Sequence, residues 1–170
     1  NLNTDQPTAA TEEQAMTVKI KSTLKVIDPA NIEAKMGMAR DGHTIKALIG
    51  TDIKTDRMRV TLARYEPKIL EKLHWHPIEA FYYVLSGHIL VRDIEGNETK
   101  LGPGMSIYCP AGMAGSHEWE SLDHVELLAF RGSPEPNRKL QFTVDKDTMR
   151  SYIEAEDVIA SDALEFPSHY

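Results

Sequence analysis

Apolar and polar positions alternate with a period of two through the middle of this chain. From Arg57 to Tyr65, Met58, Val60 and Leu62 share one face while Arg57, Arg59 and Thr61 share the other, the pattern of a half-buried strand. Short β-branched or aromatic runs follow, each closed by turn residues: Phe81 to Leu85 by Ser86-Gly87, His88 to Ile94 by Glu95-Gly96-Asn97, and Thr99 to Leu101 by Gly102-Pro103-Gly104. Met105 to Cys109 ends at Pro110-Ala111-Gly112, and Val125 to Phe130 runs into a Pro-containing loop from Gly132 to Asn137. Strands spaced about 8–12 residues apart with turns between them predict an all-β sandwich or barrel.

The ends read differently. Asn1 to Ala15 has too few apolar residues to offset the entropy of ordering and reads as an extended tail. A strand is expected near Thr17 to Val26, then a short helix near Pro29 to Met38 capped by Asp28, with Asp41-Gly42 turning the chain into His43 to Gly50. Lys146 to Ile159 carries a weak helical pattern through Met149, Ile153 and Val158. The domain reading is therefore a tail over 1–15, a barrel with an N-terminal extension over 16–140 and a partly helical C-terminal extension over 141–170.

Composition narrows the function classes. The 170 residues carry 19 basic and 26 acidic side chains, a net charge of −7, and no Lys/Arg run offers a track for nucleic-acid phosphates. No apolar stretch approaches the ~20 residues of a transmembrane helix. The single cysteine, Cys109, excludes an intrachain disulfide framework and reads as buried core. A small-molecule partner, with no nucleic acid and no membrane, is expected. A cytoplasmic location fits, and a secreted or periplasmic one stays open because the chain opens on Asn1.

The densest chemistry lies at His74-Trp75-His76. On an extended strand, residues two apart project to one face, so both imidazoles can reach one ion at about 2.0–2.2 Å. A third ligand has to come from another strand, and His117 lies just past the Pro110-Ala111-Gly112 turn. The run His74-Trp75-His76-Pro77, then Phe81 to Gly87, then Gly104, Pro110-Ala111-Gly112 and His117, resembles the two signature motifs of the cupin superfamily. The motifs span residues 74–117 and the strand pattern extends the likeness to 55–132. The resemblance implies a single jelly-roll β-barrel with a metal in its lumen, and commonly a dimer.

Two departures qualify that resemblance. Where the family's first motif has a glutamate ligand, this chain has Ala80; the adjacent Glu79 points away from the lumen on a regular strand, and only a bulge at Pro77-Ile78 would turn it inward. The histidine of the second motif also comes five residues after Gly112 rather than three, which reads either as a two-residue insertion that still delivers His117 or as a displaced ligand. Three neutral imidazoles leave a divalent ion with more positive charge than a carboxylate site would, favouring an anionic chelating oxygen ligand.

That ligand pattern is similar to the cupin dioxygenases that cleave β-diketones or hydroxyacetophenones. The leading expectation is a mononuclear non-haem Fe(II) dioxygenase acting on a diketone, hydroxyketone or similar substrate, with Zn, Ni, Mn or Cu as alternative metals. Tyr82 and Val84 share the parity of Ala80 and face the substrate; Tyr82, Glu118 and Arg59 are the candidate catalytic groups, and Arg59 or Arg64 would pair with an anionic group. The alternatives are a metal-dependent lyase or isomerase with Tyr82 or Glu118 moving protons, and a non-catalytic binding module. His43, His88, His124 and His169 read as surface or strand residues. Trp75, Phe81 and Tyr83 share an outward parity, to be covered by terminal segments or by a second subunit in a homodimer.

Overall fold

The computed structural model describes residues 20–50, 53, 55, 57–132 and 141–154. Twelve strands are found among them: β1 (Lys35–Gly37), β2 (Arg40–Ile49), β3 (Arg59–Tyr65), β4 (Leu70–Trp75), β5 (Ala80–Ser86), β6 (Ile89–Asp93), β7 (Glu98–Leu101), β8 (Ser106–Cys109), β9 (His117–Ser121), β10 (Val125–Arg131), β11 (Phe142–Val144) and β12 (Ser151–Tyr152). They form two six-stranded sheets, ordered β1-β2-β3-β10-β5-β8 and β12-β11-β4-β9-β6-β7. Every pairing within them is antiparallel, and the sheets close face to face as a jelly-roll barrel.

The inner faces make the core. Val84, Ile89, Val91, Trp119 and Leu127 are buried there with Ala63, Tyr65 and Tyr82. Ile89 and Leu127 are 0% and 1% exposed, and burial on that scale contributes about 1.5–3 kcal/mol for each side chain. Alternation decides what else points inward. On β3, Arg59, Thr61, Ala63 and Tyr65 line the lumen, while Val60 and Leu62 are buried on the opposite face.

The ends depart from the sequence expectation. Residues 1–15 lie outside the described residues, and residues 20–26, the described part of the strand expected near Thr17 to Val26, form no strand. The expected helix is one 3-10 turn, Pro29–Asn31, with the Asp28 carboxylate accepting from the Ala30 N–H. The chain then enters β1, because Met36 and Gly37 pair with Thr44 and Arg40 of β2 and cross-strand bonds displace the helical ones. The reversal falls at Met38–Ala39, and Asp41-Gly42 belongs to β2. Gly37 is required there: a Cβ would lie 2.4 Å from the His43 ring. No helix forms after Lys146 among the described residues. The Asp145 carboxylate accepts from the Asp147 and Thr148 N–H groups, an Asx turn that diverts the backbone into β12. Residues 155–159 of that expected helix lie outside the described residues.

The outward aromatics divide. Trp75 stacks on Phe142 of β11 at 4.3 Å between ring centroids, so the C-terminal segment covers it. Phe81 and Tyr83 remain 39% and 38% exposed. Cys109 is buried, and burial pushes its thiol up to about 12.

Candidate metal centre and its cavity

β4 and β9 run antiparallel with His74 opposite His117, which brings the third imidazole to the first two. The turn before β9 makes this possible. Met113–Gly115 forms a 3-10 turn, and the Gly112 N–H donates to the His76 carbonyl at 2.9 Å, tying the turn to the end of β4. The two extra residues after Gly112 are absorbed in that turn, and His117 still enters the lumen. His74, His76 and His117 are 1%, 3% and 2% exposed, and one nitrogen from each lies within 4.8 Å of the others.

The hydrogen bonds fix which nitrogens face inward. His74 Nδ1 lies 2.6 Å from the Lys72 carbonyl and His117 Nδ1 lies 2.9 Å from the Gly115 carbonyl. A carbonyl only accepts, so each Nδ1 carries the proton and each Nε2 offers a lone pair to the lumen. His117 Nε2 is buried without a hydrogen-bond partner among the described residues. An orphaned buried lone pair beside two more imidazoles fits a divalent metal ion, which can be held by His74, His76 and His117. The donor set alone does not choose among iron, zinc, nickel and copper.

Burial also governs protonation. It holds His74 and His117 down to about 3 from an ordinary value of 6.5. In chelator-treated protein the unfolded chain therefore binds these protons near pH 6.5 while the folded chain refuses them until about pH 3. Stability is whole above pH 6.5 and falls as the pH drops through that window, by up to about 1.4 kcal/mol per unit for each histidine. Urea melts of the EDTA-treated protein from pH 7 to 4 should show this slope, and His117→Gln should reduce it. A flat profile would contradict the burial argument.

One carboxylate that alternation does not reveal reaches this centre. Glu71 pairs with Trp119 and His74 with His117, so β4 spends three residues where β9 spends two, and the register shifts between them. This bulge lets Glu71 and His74 both face the lumen although they differ in parity. Glu71 Oε1 lies 3.9 Å from His74 Nε2, and the Tyr65 hydroxyl donates to Oε2 at 3.0 Å. Burial, followed by the Glu71 charge, pushes the Tyr65 hydroxyl well above its ordinary value, so it stays protonated and keeps donating.

The other candidates fall on both sides of the wall. Tyr82 is buried in the lumen with its hydroxyl 3.5 Å from His76 Nε2, and burial keeps that hydroxyl protonated. Val84 is buried among the core residues, and Arg59 lines the cavity. Glu118 takes the opposite face of β9 from His117, where it accepts from Arg92 Nη1 at 3.1 Å and pairs with Lys146; it is not brought to the triad. Glu79 is exposed and accepts from the Tyr108 hydroxyl at 2.7 Å, with Ala80 inside. Arg64 pairs with Glu126 on the surface.

His43 lies on strand β2, one of the two readings above, but it is interior rather than on the surface. It is 4% exposed, stacks on Tyr65 at 4.0 Å, and lines the same cavity. Its Nδ1 accepts from the Ala39 N–H at 3.0 Å. Sequence reasoning missed it because the residue lies on a strand whose turn was placed three residues too late. His88, half-buried, pairs with Asp123, the exposed His124 pairs with Glu66, and His169 lies outside the described residues.

Residues 61–130 match the Cupin domain family model. No curated protein matches the sequence. Among solved structures, the polyketide cyclase RemF from Streptomyces resistomycificus superposes with a TM-score of 0.62 at 21% identity, over 85% of this chain and 94% of that one. A sugar phosphate isomerase from Silicibacter pomeroyi superposes at 0.58 with 20% identity, over 76% and 93%. The DMSP lyase DddQ from Ruegeria pomeroyi does so at 0.53 with 20% identity, over 61% and 57%. At these identities the likeness is one of fold. Motif spacing, jelly-roll topology and the match over residues 61–130 agree on the fold, which is similar to that of the cupin structures.

Proposed function

We propose that this protein is a metal-dependent enzyme that moves a proton on a small substrate presenting a chelating pair of oxygens, as a lyase, isomerase or cyclase would. The observation that carries this reading is the buried Glu71 carboxylate at 3.9 Å from His74 Nε2, beside three imidazoles and braced by Tyr65. A divalent ion on His74, His76 and His117 would supply Lewis acidity, making a C–H next to a bound carbonyl acidic enough to remove. Tyr65 occupies Glu71 Oε2, so Oε1 is the atom left to take up that proton. Tyr82, held protonated, donates toward a substrate oxygen from beside His76. Trp119, Leu127 and Ala129 keep the wall apolar, which excludes water and strengthens these contacts.

A second reading, a mononuclear non-haem Fe(II) dioxygenase, is supported by Ala80 standing where a carboxylate ligand would make the ligand set anionic. Metal dependence is common to both, and oxygen separates them. The experiment is elemental analysis of the purified protein, then proton NMR of hydroxyketones in D2O under nitrogen with Zn, Ni, Mn and Fe, beside oxygen-uptake measurements on 1,3-diketones and hydroxyketones. Metal-dependent exchange or conversion without oxygen is expected. Oxygen consumption with iron alone, and no anaerobic exchange, would replace the first reading by the second.

A further inference from the structure

The metal end leaves part of the cavity unexplained. Arg59 and Arg131 are directly opposite partners on β3 and β10, so both guanidinium groups face the same side, and both line the cavity with His76, Glu71 and Tyr82. Like charges at such a position repel. Nothing described relieves this: neither guanidinium has a hydrogen bond or ion pair to any described residue, although Arg59 is only 6% exposed. Burial first, and the Arg131 charge second, pull the Arg59 guanidinium below its ordinary value. The Arg131 charge is also felt at His74, His117, Tyr65 and Tyr82, so it acts on the same lumen as the triad.

The placement follows from topology. β4 ends at Trp75 and β5 begins at Ala80, whose partner on β10 is Arg131. The two arginines therefore sit on one sheet at the barrel end where His74 and His76 leave the other. The two positive charges outnumber the single carboxylate, Glu71, among the described lining residues.

The geometry points to an anion subsite: Arg59 and Arg131 bind the carboxylate of a largely apolar substrate whose other end presents oxygens to the histidine triad. This deepens and rests on the proposed metal-dependent reading of the same cavity. A guanidinium fork matches a carboxylate with two parallel N–H donors. The wall around the pair, with Ile45, Ala63, Leu127 and Ala129, offers Thr61 as a hydroxyl but no helix N-terminus of the kind that holds phosphate. A carboxylate on an apolar body thus fits better than a phosphate ester.

The test is calorimetric titration of the metal-loaded full chain with benzoate, with the isosteric neutral benzamide and with inorganic phosphate. It is repeated on Arg59→Gln, Arg131→Gln and His117→Ala. Benzoate is expected to bind at least about tenfold more tightly than benzamide, to lose most of that preference in either arginine variant, and to retain it in His117→Ala. Removing one of two repelling charges should leave the melting temperature unchanged or higher. Should a variant fail to fold, the benzoate-to-benzamide ratio of the EDTA-treated wild-type chain still decides. Equal affinities would overturn the subsite. So would benzoate binding that vanishes in His117→Ala yet survives in Arg59→Gln, because the metal would then hold the carboxylate. Phosphate binding more tightly than benzoate through the same arginines would overturn the carboxylate assignment. Benzoate preference in a wild-type chain that takes up no metal would instead sink the metal-dependent reading while the subsite stands.

Discussion

Alanine at His117 is expected to lower divalent-metal affinity by about 10²–10³-fold and to take metal-dependent turnover to background, the largest effect of any single change here. Metal affinity at a site of several protein ligands is worth ~10–16 kcal/mol, so one ligand among three carries several kcal/mol. His117 contributes more than a lone pair. Its Nε2 is one of the buried atoms that lack a hydrogen-bond partner among the described residues, and its ring lies 4.4 Å from that of His74 and 5.6 Å from that of His76. Removing it leaves two imidazoles, on β4 and just past its end, a bidentate site open to loss of the ion. Competition titration with a chromogenic chelator measures the affinity, and elemental analysis of the purified variant gives the occupancy. Near-wild-type affinity would mean that the ion is held elsewhere.

Glu71→Gln separates metal binding from chemistry. The amide keeps the size of the side chain and retains an oxygen to accept from Tyr65, so the fold and metal content should persist. The loss is basicity, and removing a general base costs about 10²–10⁴-fold in kcat/KM. Tyr65→Phe should cost less, since it frees Glu71 Oε2 without removing the base. Anaerobic proton exchange in hydroxyketones is the readout that a purely structural role would not move. If Glu71→Gln reduced metal affinity as strongly as His117→Ala does, the carboxylate would be a ligand rather than the proton acceptor.

Much of this was legible in the sequence because it depends on local rules. Short alternating runs closed by Gly and Pro placed strands such as Phe81–Leu85, Met105–Cys109 and Val125–Phe130 within a residue or two of β5, β8 and β10 at most ends. The H-x-H spacing put His74 and His76 on one face, and the same parity put Tyr82 and Val84 inside and Glu79 outside. The N-terminal segment failed for the opposite reason. Pro29 to Met38 carries a helical cap and a plausible apolar spacing, but pairing of Lys35–Gly37 with β2 wins, and that pairing depends on residues beyond the local window.

Alternation, turn chemistry and motif spacing are written into neighbouring residues, and they determined an all-β barrel with His74, His76 and His117 as its candidate ligands. Only the tertiary structure decided that Glu71 joins them, since a bulge against β9 cancels the parity that would turn it away. It likewise decided that His43 is interior, that Glu118 belongs to the outer face, and that Arg59 meets Arg131 across β3 and β10. Parity is a property of one strand, whereas register, bulges and the meeting of distant charges are properties of pairs of strands. A chain read alone fixes the first and leaves the second to the fold.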